Sequence, residues 1–152
     1  AYDTAISGEV AQVWELIQDM RDTMNNSGVC RAVIAKDSMN STELFSERAA
    51  VTTSLMSDYL VSVDFVSGGA TRVYYIDDLN PAFSYTETMS EMSRQFAVEL
   101  AEAIGGTVLP TQTEPILAQS GCPAVKVEIP MSNGIVMMPN LADAIIEVIG
   151  GD

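Results

Sequence analysis

Asp58-Tyr59-Leu60-Val61-Ser62-Val63-Asp64-Phe65, followed by Ser67-Gly68-Gly69, decides the fold of this chain. The run is almost continuously apolar, ends in a carboxylate and is followed by a glycine turn. That is the pattern of a strand buried on both faces, as in the centre of an α/β sheet. Ligands in open α/β sheets sit in the crevice beyond such strand ends, so Asp64 stands where chemistry is expected.

Working outward, segments of helical period alternate with short strands. Upstream, Ser7 reads as an N-cap with Glu9 in the first turn. Val10, Val13, Trp14, Ile17, Met20 and Met24 then recur on one helical face, up to Asn25-Asn26-Ser27-Gly28. Val29 to Ala35 reads as a strand, and Ser41 to Leu55 as a second helix carrying Leu44, Arg48, Val51 and Leu55 on one side. Downstream, Thr71 to Ile76 is rich in β-branched and aromatic residues, as strands are. Pro81 to Thr88 reads as a loop. Ser90 to Ile104 is a third helix stopped by Gly105-Gly106. Thr107 to Leu109 reads as a short strand and Thr111 to Gly121 as a loop or lid. Pro123 to Ile129 is a further strand with a turn-rich exit, Pro130 to Gly134, and Leu141 to Ile149 is a closing helix. Strands alternating with helices predict a single α/β domain over residues 1–152, with helices on both faces of the sheet.

Composition narrows the function. The formal charge is −14, from 21 acidic against 7 basic residues. Nucleic-acid binding needs a basic footprint to neutralise phosphates, so it is excluded, and anionic membrane surfaces are disfavoured for the same reason. The charge reads either as plain solubility or as attraction to cations and cationic partners. No apolar run reaches the ~18 residues of a membrane span. Ala1-Tyr2-Asp3-Thr4 has neither a basic leader nor an apolar core, which predicts a mature or trimmed start with any signal peptide gone. Cys30 and Cys122 are either a disulfide pair or two small buried residues. The nine methionines read as core filler. There is no histidine. Ser67, Ser120, Ser132 and Cys122 therefore lack the imidazole that activates a hydrolytic nucleophile. The paired glycines precede no Gly-Lys-Ser/Thr, so they form no phosphate loop.

Several stretches, in order, resemble the zinc-dependent N-acetylmuramoyl-L-alanine amidases of the amidase-3 type, which are cell-wall hydrolases. They are Ser46-Glu47-Arg48-Ala49-Ala50-Val51, Tyr59 to Asp64, Gly69-Ala70-Thr71-Arg72-Val73-Tyr74-Tyr75, Ser93 to Ile104, Gly121 to Glu128, and Leu141-Ala142-Asp143-Ala144-Ile145. The resemblance covers nearly the whole chain and implies a mixed, mostly parallel central sheet. In that family a histidine after the first strand, a glutamate opening the first helix and a histidine ending a central strand hold zinc. A glutamate on a later strand is the general base. Carried over, Glu9 and Asp64 fall at metal-ligand positions and Glu128 at the position of the catalytic base. The first histidine has no counterpart, and the strand that would carry it is expected to lie outside the chain.

A catalytic zinc site takes about three protein ligands, imidazoles prominent among them, and lowers the pKa of a bound water to ~7. The carboxylates left here suit harder ions such as calcium, magnesium or manganese, which activate water far less. No cofactor is expected, although zinc is implied wherever the family site survives. Asp64 and Glu128 read either as a remnant pair that binds a cation or works as acid and base, or as two solvated carboxylates at the sheet edge. Arg72 reads either as a surface arginine or as a contact for a substrate carboxylate. Glu47-Arg48 reads as an ion pair on a helix.

The resemblance implies an exported amidase-like domain without zinc catalysis, in a cell-envelope or sporulation setting, that binds peptidoglycan or an envelope protein. The alternatives are an active amidase completed by a ligand outside the chain, and an acidic structural subunit.

Overall fold

A computed structural model describes residues 2–8, 14–34, 58–77, 87–111, 114, 117, 120–132, 135–136 and 141–151. Its elements run β1 (Tyr2–Gly8), α1 (Trp14–Asn26), β2 (Cys30–Ile34), β3 (Tyr59–Ser67), β4 (Arg72–Ile76), α2 (Glu87–Ile104), β5 (Thr107–Thr111), β6 (Ala124–Ser132), β7 (Ile135–Val136) and α3 (Leu141–Gly150). The strands form one sheet in the order β2-β1-β3-β6-β4-β5, with β7 paired to β6. β2, β1, β3 and β6 are mutually parallel. β4 runs antiparallel to β6, and β5 is parallel to β4. The sheet is mixed and mostly parallel, in an α/β domain.

β3 is the central strand that its sequence predicts. Side chains alternate across a strand, and on β3 both faces are covered. Val61 and Val63 are fully buried beneath the three described helices, together with Val125, Val127 and Ile129 of β6 and Val73 of β4. α1 delivers Ile17, Met20 and Met24 to this core. α2 brings Phe96, Ala97, Leu100 and Ala101, and α3 brings Leu141, Ala144, Ile145 and Ile149. These spacings of three and four residues give each helix one apolar face. Each fully buried leucine or isoleucine among them contributes about 1.5–3 kcal/mol. The phenyl ring of Phe96 meets Tyr59 edge-on, with centroids 4.6 Å apart. The opposite face of the sheet carries a smaller cluster of Leu60, Ile76, Leu117, Cys122 and Ala124, with Met89 packed against it. Above that cluster, further along β3 and β6, the same face turns polar.

Side-chain hydrogen bonds lock α2 to the sheet. The hydroxyl of Ser93 donates to the Met89 carbonyl at 2.7 Å and accepts the Ala124 amide at 2.9 Å, so it ties α2 to the first residue of β6. Ser90 donates to the Ile76 carbonyl at the end of β4. The helix then ends where Gly105 adopts φ +73° and the Gly106 amide reaches back to the Ala101 carbonyl at 2.8 Å. This closes the helix with the left-handed glycine cap that Gly105-Gly106 predicts.

Several expectations change. The first strand lies within the chain, as β1 between β2 and β3; its alternation is broken by Asp3, Thr4 and Ser7, which hides it from a pattern reading. Ser7 consequently belongs to β1 and is not a helix N-cap. β3 continues past Asp64 to Ser67, and β6 continues through Pro130 to Ser132, so neither Asp64 nor Glu128 ends its strand. α2 begins at Glu87, inside the segment read as a loop. β5 runs on through Pro110 to Thr111, at the sheet edge where the missing proline donor costs little. Cys30 and Cys122 lie in separate clusters on opposite faces of the sheet and remain thiols. Glu9, the helix read at Ser41 to Leu55, and the pair Glu47-Arg48 lie outside the described residues. No described helix is long and apolar enough to cross a membrane.

Candidate functional site

The polar patch on the smaller-core face is set by strand register. β3 and β6 pair so that Ser62 lies beside Lys126 and Asp64 beside Glu128. β4 crosses the far side of β6 with Tyr74 opposite Lys126 and Arg72 opposite Glu128. Residues paired across strands share a face, and positions two apart along a strand share it too. Arg72, Glu128 and Asp64 therefore form one row across three strands, and Tyr74, Lys126 and Ser62 form the next.

Lys126 is the centre of the patch. It is only 9% exposed, between the fully buried Val125 and Val127 on its strand. A lysine rarely lies so deep unless it is paired. Its ammonium donates a hydrogen bond to Glu114 Oε1 at 3.1 Å. Asp64 Oδ2 lies 3.7 Å away and Glu128 Oε2 3.9 Å away. Burial pulls the Lys126 pKa down. The hydrogen bond to Glu114 and the charges of Glu114, Asp64 and Glu128 more than offset this and hold it above the ordinary lysine value. The lysine is therefore charged at neutral pH, and it is a poor general base.

The structure thus brings Asp64 and Glu128 together as register partners around a shared cation. Arg72 is exposed at the end of their row. The pairing of β1 with β3 ends at Gly8 beside Val63, one position short of Asp64. Two participants escape the sequence reading, Lys126 and Glu114. Lys126 has a legible signal: in Val125-Lys126-Val127-Glu128 the period of two puts it on the face of Glu128, and a lysine inside a buried strand requires a counter-charge. Glu114 has none, because it lies in a segment without periodicity, 12 residues before its partner.

These residues do not fit a zinc ion. The donor set is all carboxylate, and its charge is already directed at an ammonium group. Among the described residues no group of three or more histidine, cysteine, aspartate or glutamate side chains is arranged to hold a metal. The chain contains no histidine that could add a nitrogen ligand.

No sequence-family model matches the chain, and no curated relative does. Its likeness is to solved structures. The N-acetylmuramyl-L-alanine amidase Ami1 from Mycobacterium smegmatis superposes with a TM-score of 0.73 at 18% identity, over 99% of this chain and 95% of that one. Ami1 from Mycobacterium abscessus gives 0.70 at 14% identity, over 99% and 98%. The CwlD amidase from Clostridioides difficile, in complex with the GerS lipoprotein, gives 0.58 at 10% identity, over 99% and 95%. Across nearly its whole length, this chain has the fold of the N-acetylmuramoyl-L-alanine amidases.

Proposed function

We propose that this is a non-hydrolytic amidase-fold domain of the cell envelope, which binds peptidoglycan or an envelope protein without cleaving the bond between muramic acid and L-alanine. The observation that carries this reading is the loss of imidazole from a retained scaffold. β1 is present, the resemblance implies a histidine ligand after the first strand, and the chain has no histidine. Without neutral nitrogen ligands there is no zinc to bring a water to a pKa of ~7, and an all-carboxylate site does not replace that effect. The fold of the amidases supports a surface shaped for peptidoglycan, and the GerS-bound form of CwlD supports a protein partner.

Co-sedimentation with insoluble peptidoglycan, together with capture of envelope proteins by the immobilised domain, tests the binding. Incubation with a muramoyl peptide after loading with zinc tests the chemistry. The expected result is retention by one of the two partners, no bound zinc and no release of the stem peptide. Turnover with stoichiometric zinc would refute the proposal, as would a domain that neither partner retains.

A further inference from the structure

α2 and α3 pack together on the helical face of the sheet, opposite the Lys126 patch. Their last turns border a groove. Glu99, Glu102 and Ala103 of α2 and Glu147, Val148 and Gly151 at the end of α3 line a shallow hollow of about 390 Å³. A hollow of about 200 Å³ adjoins it, sharing Glu99 and Val148 and adding Tyr59, Met92, Phe96 and Ile149. Small-molecule pockets begin at about 300 Å³, so this second hollow takes one side chain and not a metabolite. Its walls select which one. Two aromatic rings in contact, Tyr59 and Phe96, and the thioether of Met92 suit an aliphatic stem, and Glu99 suits a charged tip. Lysine and arginine have that form, and aromatic rings also attract their charge. Met92 is 45% exposed, one of two large apolar side chains open to solvent among the described residues. The charge along the groove has one sign. Neither helix has a basic residue in its last turn, where the helix dipole favours a cation. Among the described residues, no lysine or arginine lines either hollow or forms an ion pair with Glu99, Glu102 or Glu147. A second copy of this chain, at −14, is repelled from such a surface.

We propose that the groove between the last turns of α2 and α3 docks a basic amphipathic segment of a partner protein. One lysine or arginine of that segment enters the hollow beside Tyr59, Phe96 and Met92, and others meet Glu102 and Glu147. This names the chemistry of the envelope-protein partner and rests on the reading above only in taking the partner to be a protein. The groove and the Lys126 patch lie on opposite faces of the sheet, so a segment docked here leaves Asp64 and Glu128 uncovered.

The test titrates the full chain into a fluorescein-labelled helical peptide of leucine and lysine, its leucines spaced i, i+3, i+4 and i+7, and follows anisotropy at fixed ionic strength. E99K/E147K reverses two charges of the groove. D19K/D77K makes the same change in net charge at exposed positions on α1 and after β4. M92Q removes apolar contact and leaves the charge alone. The wild type and D19K/D77K are expected to bind alike. E99K/E147K is expected to weaken binding roughly tenfold or more, and M92Q about threefold to tenfold. The same peptide with glutamate for lysine should not bind. If E99K/E147K does not fold, M92Q carries the test. The proposal is overturned if D19K/D77K loses as much affinity as E99K/E147K, which would make the attraction one of net charge only, or if M92Q binds as the wild type does. A wild-type dimer in sedimentation that M92Q breaks would also overturn it, by giving the groove to a second copy. Turnover of a muramoyl peptide would instead refute the non-hydrolytic reading and leave this one standing.

Discussion

Replacing Lys126 by methionine keeps the length of the side chain and removes its charge. The native ammonium makes one charged hydrogen bond, to Glu114 at 3.1 Å, and has two further carboxylate oxygens at 3.7 and 3.9 Å. A hydrogen bond between charged groups is worth about 1.5–3 kcal/mol. Losing one partner of a fully buried ion pair costs about 3–5 kcal/mol, because the remaining charge is stranded. The stranded carboxylates here are partly exposed, so water takes up some of that burden and the expected loss is about 2–4 kcal/mol. Against a total stability of about 5–15 kcal/mol, this leaves the variant folded. Urea unfolding followed by far-ultraviolet circular dichroism measures the loss. Glu114→Gln alone should cost about 1–2 kcal/mol, since it removes the charge of the hydrogen-bonded partner and leaves the lysine the charges of Asp64 and Glu128. The double variant K126M/E114Q should be less destabilised than the sum of its parts, by about 1–2 kcal/mol. Strict additivity within ~0.5 kcal/mol would refute the coupling on which this picture of the site depends.

The same lysine predicts the alkaline limb of stability. Its folded pKa is raised, so its contribution is complete below the ordinary lysine value of ~10.4 and is lost as pH rises through the folded value. The stability gap between wild type and K126M, measured by urea midpoints, should hold constant from neutral pH to about 10 and narrow only above it. Ser93→Ala should cost about 1–3 kcal/mol although it removes a single oxygen, because the Ala124 amide then loses its acceptor in a fully buried position; urea unfolding reads this, and a change below ~0.5 kcal/mol would count against that bridge. Cys30 and Cys122 are both buried, and burial pushes the Cys30 thiol up against a lowering hydrogen bond from Ser27. Neither should react with a thiol reagent in the native state, and both should react in denaturant; a thiol count before and after unfolding checks it.

Much of the fold can be read without coordinates, and the reasons are specific. β3, β6 and α3 carry dense apolar patterns, and Gly28 and Gly105 mark helix ends that require positive φ, at +75° and +73°. The strand β1 cannot be read this way: its polar residues interrupt any alternation, and its place in the sheet comes from pairing on both sides. The pairing of Asp64 with Glu128 is partly legible, since each lies on a strand of mostly apolar residues. Their adjacency is a matter of sheet order, which local patterns do not encode. Glu114 is the extreme case. Its contribution depends on a tertiary contact from a stretch with no regular period, and only the folded chain shows that the lysine it meets would otherwise be buried without a hydrogen-bond partner.

The placement of β1 has a consequence for how the molecule is made. β1 precedes the other described strands in the sequence yet lies in the interior of the sheet, and one of its two neighbours begins only at Tyr59. Until that neighbour is synthesised, one edge of Tyr2–Gly8 is open to other extended chains. β2 has no sheet neighbour except β1 among the described strands. Deleting Tyr2–Gly8 would therefore do more than shorten the chain: it would cut β2 away from the described sheet and leave it held by packing against α1 and α3.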